Sequence, residues 1–143
     1  MSSDYKFIDH TADIAIEVSG NTYEELFTAA LNGWKESVIE SADDERETEE
    51  MNIKMKENSP EELLVSFLQE VNYLFDSKKI IPLENESIRI EKREEEFQLT
   101  INIHFGKITA DDIIKTEIKA VTFHQLDIKK INDVYKTIIV FDI

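Results

Sequence analysis

The sequence predicts an α+β fold, a single domain over residues 1–143 built from mostly antiparallel sheet and two amphipathic helices. Two stretches carry apolar residues at helical spacing, one from about Tyr23 to about Val38 and one that begins at Pro60. Seven or eight further stretches alternate apolar and polar residues, the period of two that is typical of half-buried strands. Because most of these strands are joined by short turns, we expect them to pair as hairpins.

The start of each helix has its own signal. Thr22 with Glu25, and Ser59 with Glu62, have the spacing of a capping box, in which the first side chain accepts a hydrogen bond from a free backbone N–H of the first turn. Pro60 stands at the first helical position, where its missing N–H costs nothing.

The strands have less distinct signals in the sequence than the helices. The predicted strands are residues 14–18, 51–55, 88–90, 97–105, 117–122, 126–128 and 134–142. The last is apolar on both faces at residues 138–141, which favours a central place in a sheet. We expect Pro82 to mark a break before the strand at 88–90, and the densely acidic residues 41–50 to form an exposed loop.

Composition limits the classes of function. Thirty-one acidic residues against 16 basic ones give a net charge of -15, which disfavours direct binding of nucleic acid and suits a partner with a basic surface. The alternative is that the charge only maintains solubility. The chain has no cysteine, which excludes disulfides, thiolate metal sites and cysteine nucleophiles. It also has no apolar run near the roughly 20 residues that span a bilayer, so we expect a cytoplasmic protein without a membrane partner.

Known catalytic motifs do not account for the polar residues. The three glycines are scattered, which excludes a glycine-rich phosphate loop, and His10, His104 and His124 lie too far apart for a paired-histidine metal motif. His10 and His124 are interpreted first as hydrogen-bonded structural residues.

The remaining candidates for a functional site are carboxylates, which bind cations through oxygen. Asp13 and Asp142 each stand at the end of an apolar strand, where a buried carboxylate needs donors or a cation. If the first and last strands meet, these two groups and the terminal carboxylate of Ile143 would repel one another unless a divalent cation neutralised them, and oxygen ligation suits calcium, magnesium or manganese. The alternative is that both aspartates lie in turns and cap backbone amides. Lys119 lies in an apolar stretch, and its simplest interpretation is a side chain on the solvent face of a strand.

Five stretches carry a resemblance to a known family. They are residues 7–14 (FIDHTADI), 24–27 (EELF), 62–70 (with ELL, FL and Glu70), 117–124 (EIKAVTFH) and 140–143 (VFDI). In this order they resemble the archease family over nearly the whole chain. One departure is Phe123, where the family pattern leads us to expect tyrosine.

The resemblance implies a protein cofactor without catalysis of its own, which activates the RtcB-type RNA ligase in tRNA splicing and RNA repair. Such a protein promotes guanylation of the ligase by GTP and multiple turnover, as the ligase joins 3′-phosphate or 2′,3′-cyclic phosphate ends to 5′-hydroxyl ends. It also implies a metal site at Asp13, Asp142 and the Ile143 carboxylate, with calcium favoured over magnesium or manganese, and a part in activation for Lys119 and His10. Two other functions stay open: a general chaperone of nucleic-acid-modifying proteins and a metal-dependent phosphoesterase.

Overall fold

The computed structural model describes residues 3–8, 13–41 and 45–143, with the backbone alone at Glu86. In chain order its elements are β1 (Asp4–Ile8), β2 (Asp13–Gly20), α1 (Tyr23–Val38), β3 (Ile39–Glu40), β4 (Thr48–Glu57), α2 (Pro60–Lys78), β5 (Ile80–Arg93), β6 (Glu96–Lys107), β7 (Ile113–Ile114), β8 (Ala120–Thr122), β9 (Lys129–Ile131) and β10 (Val134–Asp142). Neither helix is long and apolar enough to span a bilayer, within the ranges just given.

The strands form two larger sheets and one short ribbon. The first sheet has the order β1-β2-β10-β8, with β9 also pairing to β10, and the second has the order β4-β6-β5. The ribbon consists of β3 and β7. Every strand pairing among the described residues is antiparallel, so the predicted α+β class with mostly antiparallel sheet is confirmed.

Both predicted capping boxes are present. The Thr22 hydroxyl accepts the Glu25 N–H at 3.1 Å, and the Ser59 hydroxyl accepts the Glu62 N–H at 3.1 Å. These bonds satisfy backbone donors that the first turn of a helix leaves free, which is why both helices begin where the sequence predicts. The sequence predicts that α2 ends near Asp76 and Ser77, and the helix extends slightly further, to Lys78.

The apolar faces of the two helices and of both larger sheets form the core. Phe27 of α1 and Phe67 of α2 stack with ring centroids 6.1 Å apart, and both are fully buried. β10 runs between β2 and the short strands β8 and β9, and its Ile139 and Phe141 are also fully buried. The predicted central position of the last strand is therefore confirmed.

The edge strand β1 was not among the predicted strands. It is tied to α1 by the Tyr5 hydroxyl, which donates to the Glu36 carboxylate at 2.6 Å. That hydrogen bond, with smaller contributions from burial and from the Glu36 charge, raises the pKa of Tyr5 to about 12. The phenol therefore stays protonated and keeps this contact well above neutral pH.

Several strand predictions are wrong in their bounds. The strand predicted at residues 117–122 is only Ala120–Thr122, and before it the Ile118 carbonyl accepts a hydrogen bond from the Asn72 side chain instead of from a neighbouring strand. β5 begins at Ile80 and runs through Pro82, because β5 is an edge strand and its register shifts between Pro82 and Glu84, so the missing N–H of proline removes no required ladder bond. Residues 126–128 form no strand: Gln125 has a φ of 62°, and the Leu126 N–H donates to the Phe123 carbonyl at 3.0 Å in a turn. The strand begins only at Lys129.

The prediction of a loop over residues 41–50 is also wrong in part, because β4 already begins at Thr48. Arg46 lies in this segment and makes a two-pronged ion pair with Asp112, at 2.6 Å and 2.8 Å. The Asp112 side chain is fully buried and that of Arg46 is only 10% exposed. The segment is thus attached to the loop before β7, although its composition is that of a free acidic loop.

Candidate functional site

Asp13 and Asp142 lie directly opposite each other on neighbouring strands. β2 and β10 pair antiparallel, and the register that sets Phe141 against Ile14 sets Asp142 against Asp13. Directly opposite residues of such a pair point to the same face, with Cβ atoms about 4.5–5.5 Å apart. The two strand ends therefore meet as predicted, and the two aspartates form what we call the carboxylate pair.

A third strand brings Lys119 to the same place. Ala120 of β8 pairs with Asp142, so β8 lies beside β10 at the level of the carboxylate pair. The backbone N–H of Lys119 donates to the Asp142 carbonyl at 2.7 Å. Lys119 is exposed, between the buried residues Ile118 and Val121. The structure thus places a solvent-exposed lysine directly before β8, outside any strand, whereas the sequence interpretation placed it on the face of a strand.

Two side chains of α2 hold the segment that carries Lys119. The Asn72 amide nitrogen donates to the Ile118 carbonyl at 2.9 Å, and the Gln69 amide oxygen accepts the Val121 N–H at 3.0 Å. Asn72 also accepts the indole N–H of Trp34 at 2.9 Å in a buried network. Both helices therefore fix the backbone on either side of Lys119.

Sequence analysis did not identify Asn72 and Gln69. The signal that could have identified Asn72 is its position within the apolar stripe of α2, since a buried amide there needs partners.

The ligands at the carboxylate pair fit a hard cation. Like charges placed directly opposite on neighbouring strands destabilise a sheet, and a divalent cation removes that repulsion. Ile143, whose terminal carboxylate is the third predicted ligand, directly follows Asp142 in the sequence and is 40% exposed. Within the described ranges, no group of three or more histidine, cysteine, aspartate or glutamate side chains could hold a metal. Among the described residues, the predicted ligands of such a cation stay those of the sequence analysis: Asp13, Asp142 and the Ile143 carboxylate.

Two of the three histidines lie within the described residues. His10, predicted to contribute to activation, lies outside the described residues. His124 is exposed just beyond β8, and its backbone N–H donates to the Thr122 hydroxyl at 3.3 Å. His104 lies on β6 in the other large sheet, where its ring is 3.4 Å from the Glu50 carboxylate. Phe123, the departure from the family pattern, is 57% exposed.

The fold and the site define a class: a small acidic α+β protein in which the ends of β2 and β10 present two facing carboxylates. Comparison of the sequence with family models shows that the model of the Archease protein family matches residues 5–143. The chain belongs to the archease family.

Individual relatives support the assignment. Protein archease of Thermotoga maritima is 40% identical over 139 residues, which cover 96% of this chain and 98% of the relative. That of Methanosarcina barkeri is 35% identical over 144 residues, which cover 97% and 95%.

Two solved structures share the fold. A crystal structure of the Thermotoga maritima archease, described as a possible chaperone, superimposes with a TM-score of 0.61 at 34% identity and covers 96% of each chain. The solution structure of protein 1598 from Methanobacterium thermoautotrophicum gives a TM-score of 0.77 at 24% identity, covering 97% of this chain and 98% of that one. At this identity the second comparison supports the fold alone.

Proposed function

We propose that this protein activates an RtcB-type RNA ligase, by promoting its guanylation by GTP and its multiple turnover in tRNA splicing and RNA repair. The observation that carries the proposal is the pairing of Asp142 with Asp13, beside the backbone of Lys119. The protein acts as a cofactor of the ligase and has no turnover of its own. Membership of the archease family supports this choice over other uses of an acidic site.

The carboxylate pair and the Ile143 carboxylate would hold a divalent cation, calcium in preference to magnesium or manganese, whose charge offsets that of phosphate groups. Lys119 is exposed, so its ammonium group can reach an anionic partner while its backbone stays bonded to Asp142. The net charge of -15 favours the approach of this end of the molecule to a basic cleft, as an RNA ligase must have. Its contribution is positioning and charge neutralisation.

A second function has one observation in its favour. The Thermotoga maritima relative is described as a possible chaperone. A general chaperone of nucleic-acid-modifying proteins would bind several unrelated clients and leave the turnover of the ligase unchanged, whereas the proposed activator changes that turnover at limiting ligase.

Single-turnover guanylation of the ligase tests the proposal. We expect Asp13→Asn and Asp142→Asn each to reduce the acceleration by this protein at least about tenfold, because each removes a charged ligand but keeps the shape of the side chain. Asp133→Asn is the matched control: it lies in the turn at the other end of β10, with a φ of 65° that asparagine also adopts.

A binding measurement separates the metal from the activation. Calorimetric titration of the wild type with calcium is expected to show binding that both site variants lose and Asp133→Asn keeps. Full acceleration by folded Asp13→Asn and Asp142→Asn would refute the proposed site. A wild type that fails to accelerate guanylation would refute the proposed function.

A further inference from the structure

The short strand β7 exposes two adjacent apolar side chains. Ile113 is 57% exposed and Ile114 is 51% exposed. β7 pairs along one edge with β3, and no other strand of the described chain pairs with it. An exposed apolar patch with a free strand edge is a common feature of binding sites for extended peptides.

This exposure is not due to a loose segment, because β7 is held on both sides. Before it, Asp112 makes the buried ion pair with Arg46 and also accepts the Thr109 N–H at 2.8 Å. After it, the Lys115 N–H donates to the Val38 carbonyl at 2.8 Å, and the Lys115 ammonium donates to the Glu36 carbonyl at 2.8 Å. The two isoleucines are therefore presented on a fixed backbone, which lowers the entropic cost of binding a partner.

A concavity of about 390 Å³ lies beside β7, and we call it the β7 groove. It is lined by Phe75, Asp76, Lys79, Ile108, Ile114 and Glu117. Three of these side chains are apolar. Asp76 and Glu117 are exposed, and neither has an ion-pair partner within the described residues. The groove thus combines an apolar lining with unpaired negative charge, against the single cation of Lys79.

Charge decides which occupant fits the groove. A second copy of this chain would bring two molecules of net charge -15 together, and an anionic membrane surface would be repelled in the same way. A segment with basic residues on either side of an apolar side chain matches both the lining and the two carboxylates. The groove therefore favours a basic partner protein.

We propose that the β7 groove docks an extended basic segment of the RNA ligase, which inserts an apolar side chain between Ile114 and Phe75. This inference rests on the proposed function. It divides the work between two sites, because the groove supplies affinity and the carboxylate pair supplies activation. Glu117 of the groove is two residues from Lys119, so one continuous segment links the two sites.

The test compares affinity with maximal acceleration. For Ile113→Asp/Ile114→Asp we expect the Kd for the ligase to rise at least about tenfold, since the change places charge in the centre of an apolar contact. The acceleration of guanylation at saturating protein is expected to stay within about twofold of the wild type, because the carboxylate pair is intact. Ile131→Asp is the matched control, an isoleucine of β9 that is 56% exposed, and its Kd is expected to be unchanged.

A second variant keeps the groove shape. Asp76→Asn/Glu117→Gln is expected to raise the Kd and to weaken its dependence on salt, because it removes only the two charges. An unchanged Kd in both double variants would overturn the groove and leave the proposed function standing. A wild type that neither binds nor accelerates the ligase would overturn both. Dimerisation of the wild type that Ile113→Asp/Ile114→Asp abolishes would assign the groove to a second copy instead.

Discussion

Asn72 connects the helices to the strand segment that carries Lys119. Its side chain is 8% exposed and makes two buried hydrogen bonds, one from the Trp34 indole and one to the Ile118 carbonyl. Because both hydrogen bonds are buried, water cannot readily replace Asn72 as the partner of either group. Leaving a buried polar group without a partner costs more free energy than its hydrogen bond contributes to stability. The Asn72 amide therefore stabilises the segment around Lys119 by more than two ordinary hydrogen bonds would.

Asn72→Leu is expected to lower the free energy of unfolding by roughly 2–6 kcal/mol, because it leaves two buried groups without partners at about 1–3 kcal/mol each. Urea denaturation measures the loss. Trp34 is the sole tryptophan of the chain, so its fluorescence also reports the lost bond in the native state. Asn32→Leu, at an exposed position of α1, is the control and is expected to be neutral. Equal stability of the two variants would contradict the role given to Asn72.

At the level of single residues, the sequence indicated the two aspartates of the carboxylate pair but not the side chains that hold the neighbouring backbone in place. Asp13 and Asp142 could be predicted as site candidates because each follows or precedes an apolar run, where a charge is conspicuous. In the sequence, Asn72 is one polar residue of an amphipathic helix, and most polar residues of such a helix are exposed. One of its two partners is the Ile118 carbonyl, and a backbone carbonyl has no side-chain signature that a sequence could show.

At the level of elements, local signals determined what could be predicted. α1 and β10 were predicted with their observed bounds, since Thr22 caps the first and the turn at Asn132 and Asp133, with φ of 52° and 65°, precedes the second. β7 and β9 have two or three residues each, too few for a period of two to show, and β8 is only the last three residues of the strand predicted at 117–122. Their place depends on pairing with distant strands.

The ion pair of Arg46 with Asp112 gives an element-scale prediction. Arg46→Met leaves the fully buried Asp112 carboxylate without its cation, so we expect the free energy of unfolding to fall by roughly 3–5 kcal/mol. Chemical denaturation measures this, and limited proteolysis is expected to cut near residues 107–115 sooner than in the wild type. The control is Arg89→Met, whose side chain is 75% exposed beside Glu91, with an expected change below about 0.5 kcal/mol. A similar small loss for Arg46→Met would show that the pair is dispensable.

At the level of the molecule, the site depends on topology that no local pattern encodes. β2 and β10 come from opposite ends of the sequence, and their register brings Asp13 to Asp142. Strands with apolar patterns can lie in different sheets, as β4 and β10 do, so the patterns alone do not decide which strands pair. The sequence patterns made the meeting of the two ends possible, and the family resemblance made it an expectation, but the pairing itself is seen only in the fold.

Net charge acts on the same scale, and it predicts how the protein finds the proposed ligase partner. With a net charge of -15, the association rate constant is expected to fall at least about tenfold between low salt and about 0.5 M salt, while the dissociation rate constant changes little. Stopped-flow or surface-based kinetics measures both. Because steering arises from the field of the whole molecule, Glu47→Gln/Glu49→Gln and Glu94→Gln/Glu95→Gln are expected to slow association equally at low salt; all four glutamates are exposed, and the pairs lie in different segments. A large effect of the first pair alone would instead assign residues 45–50 a direct contact with the ligase.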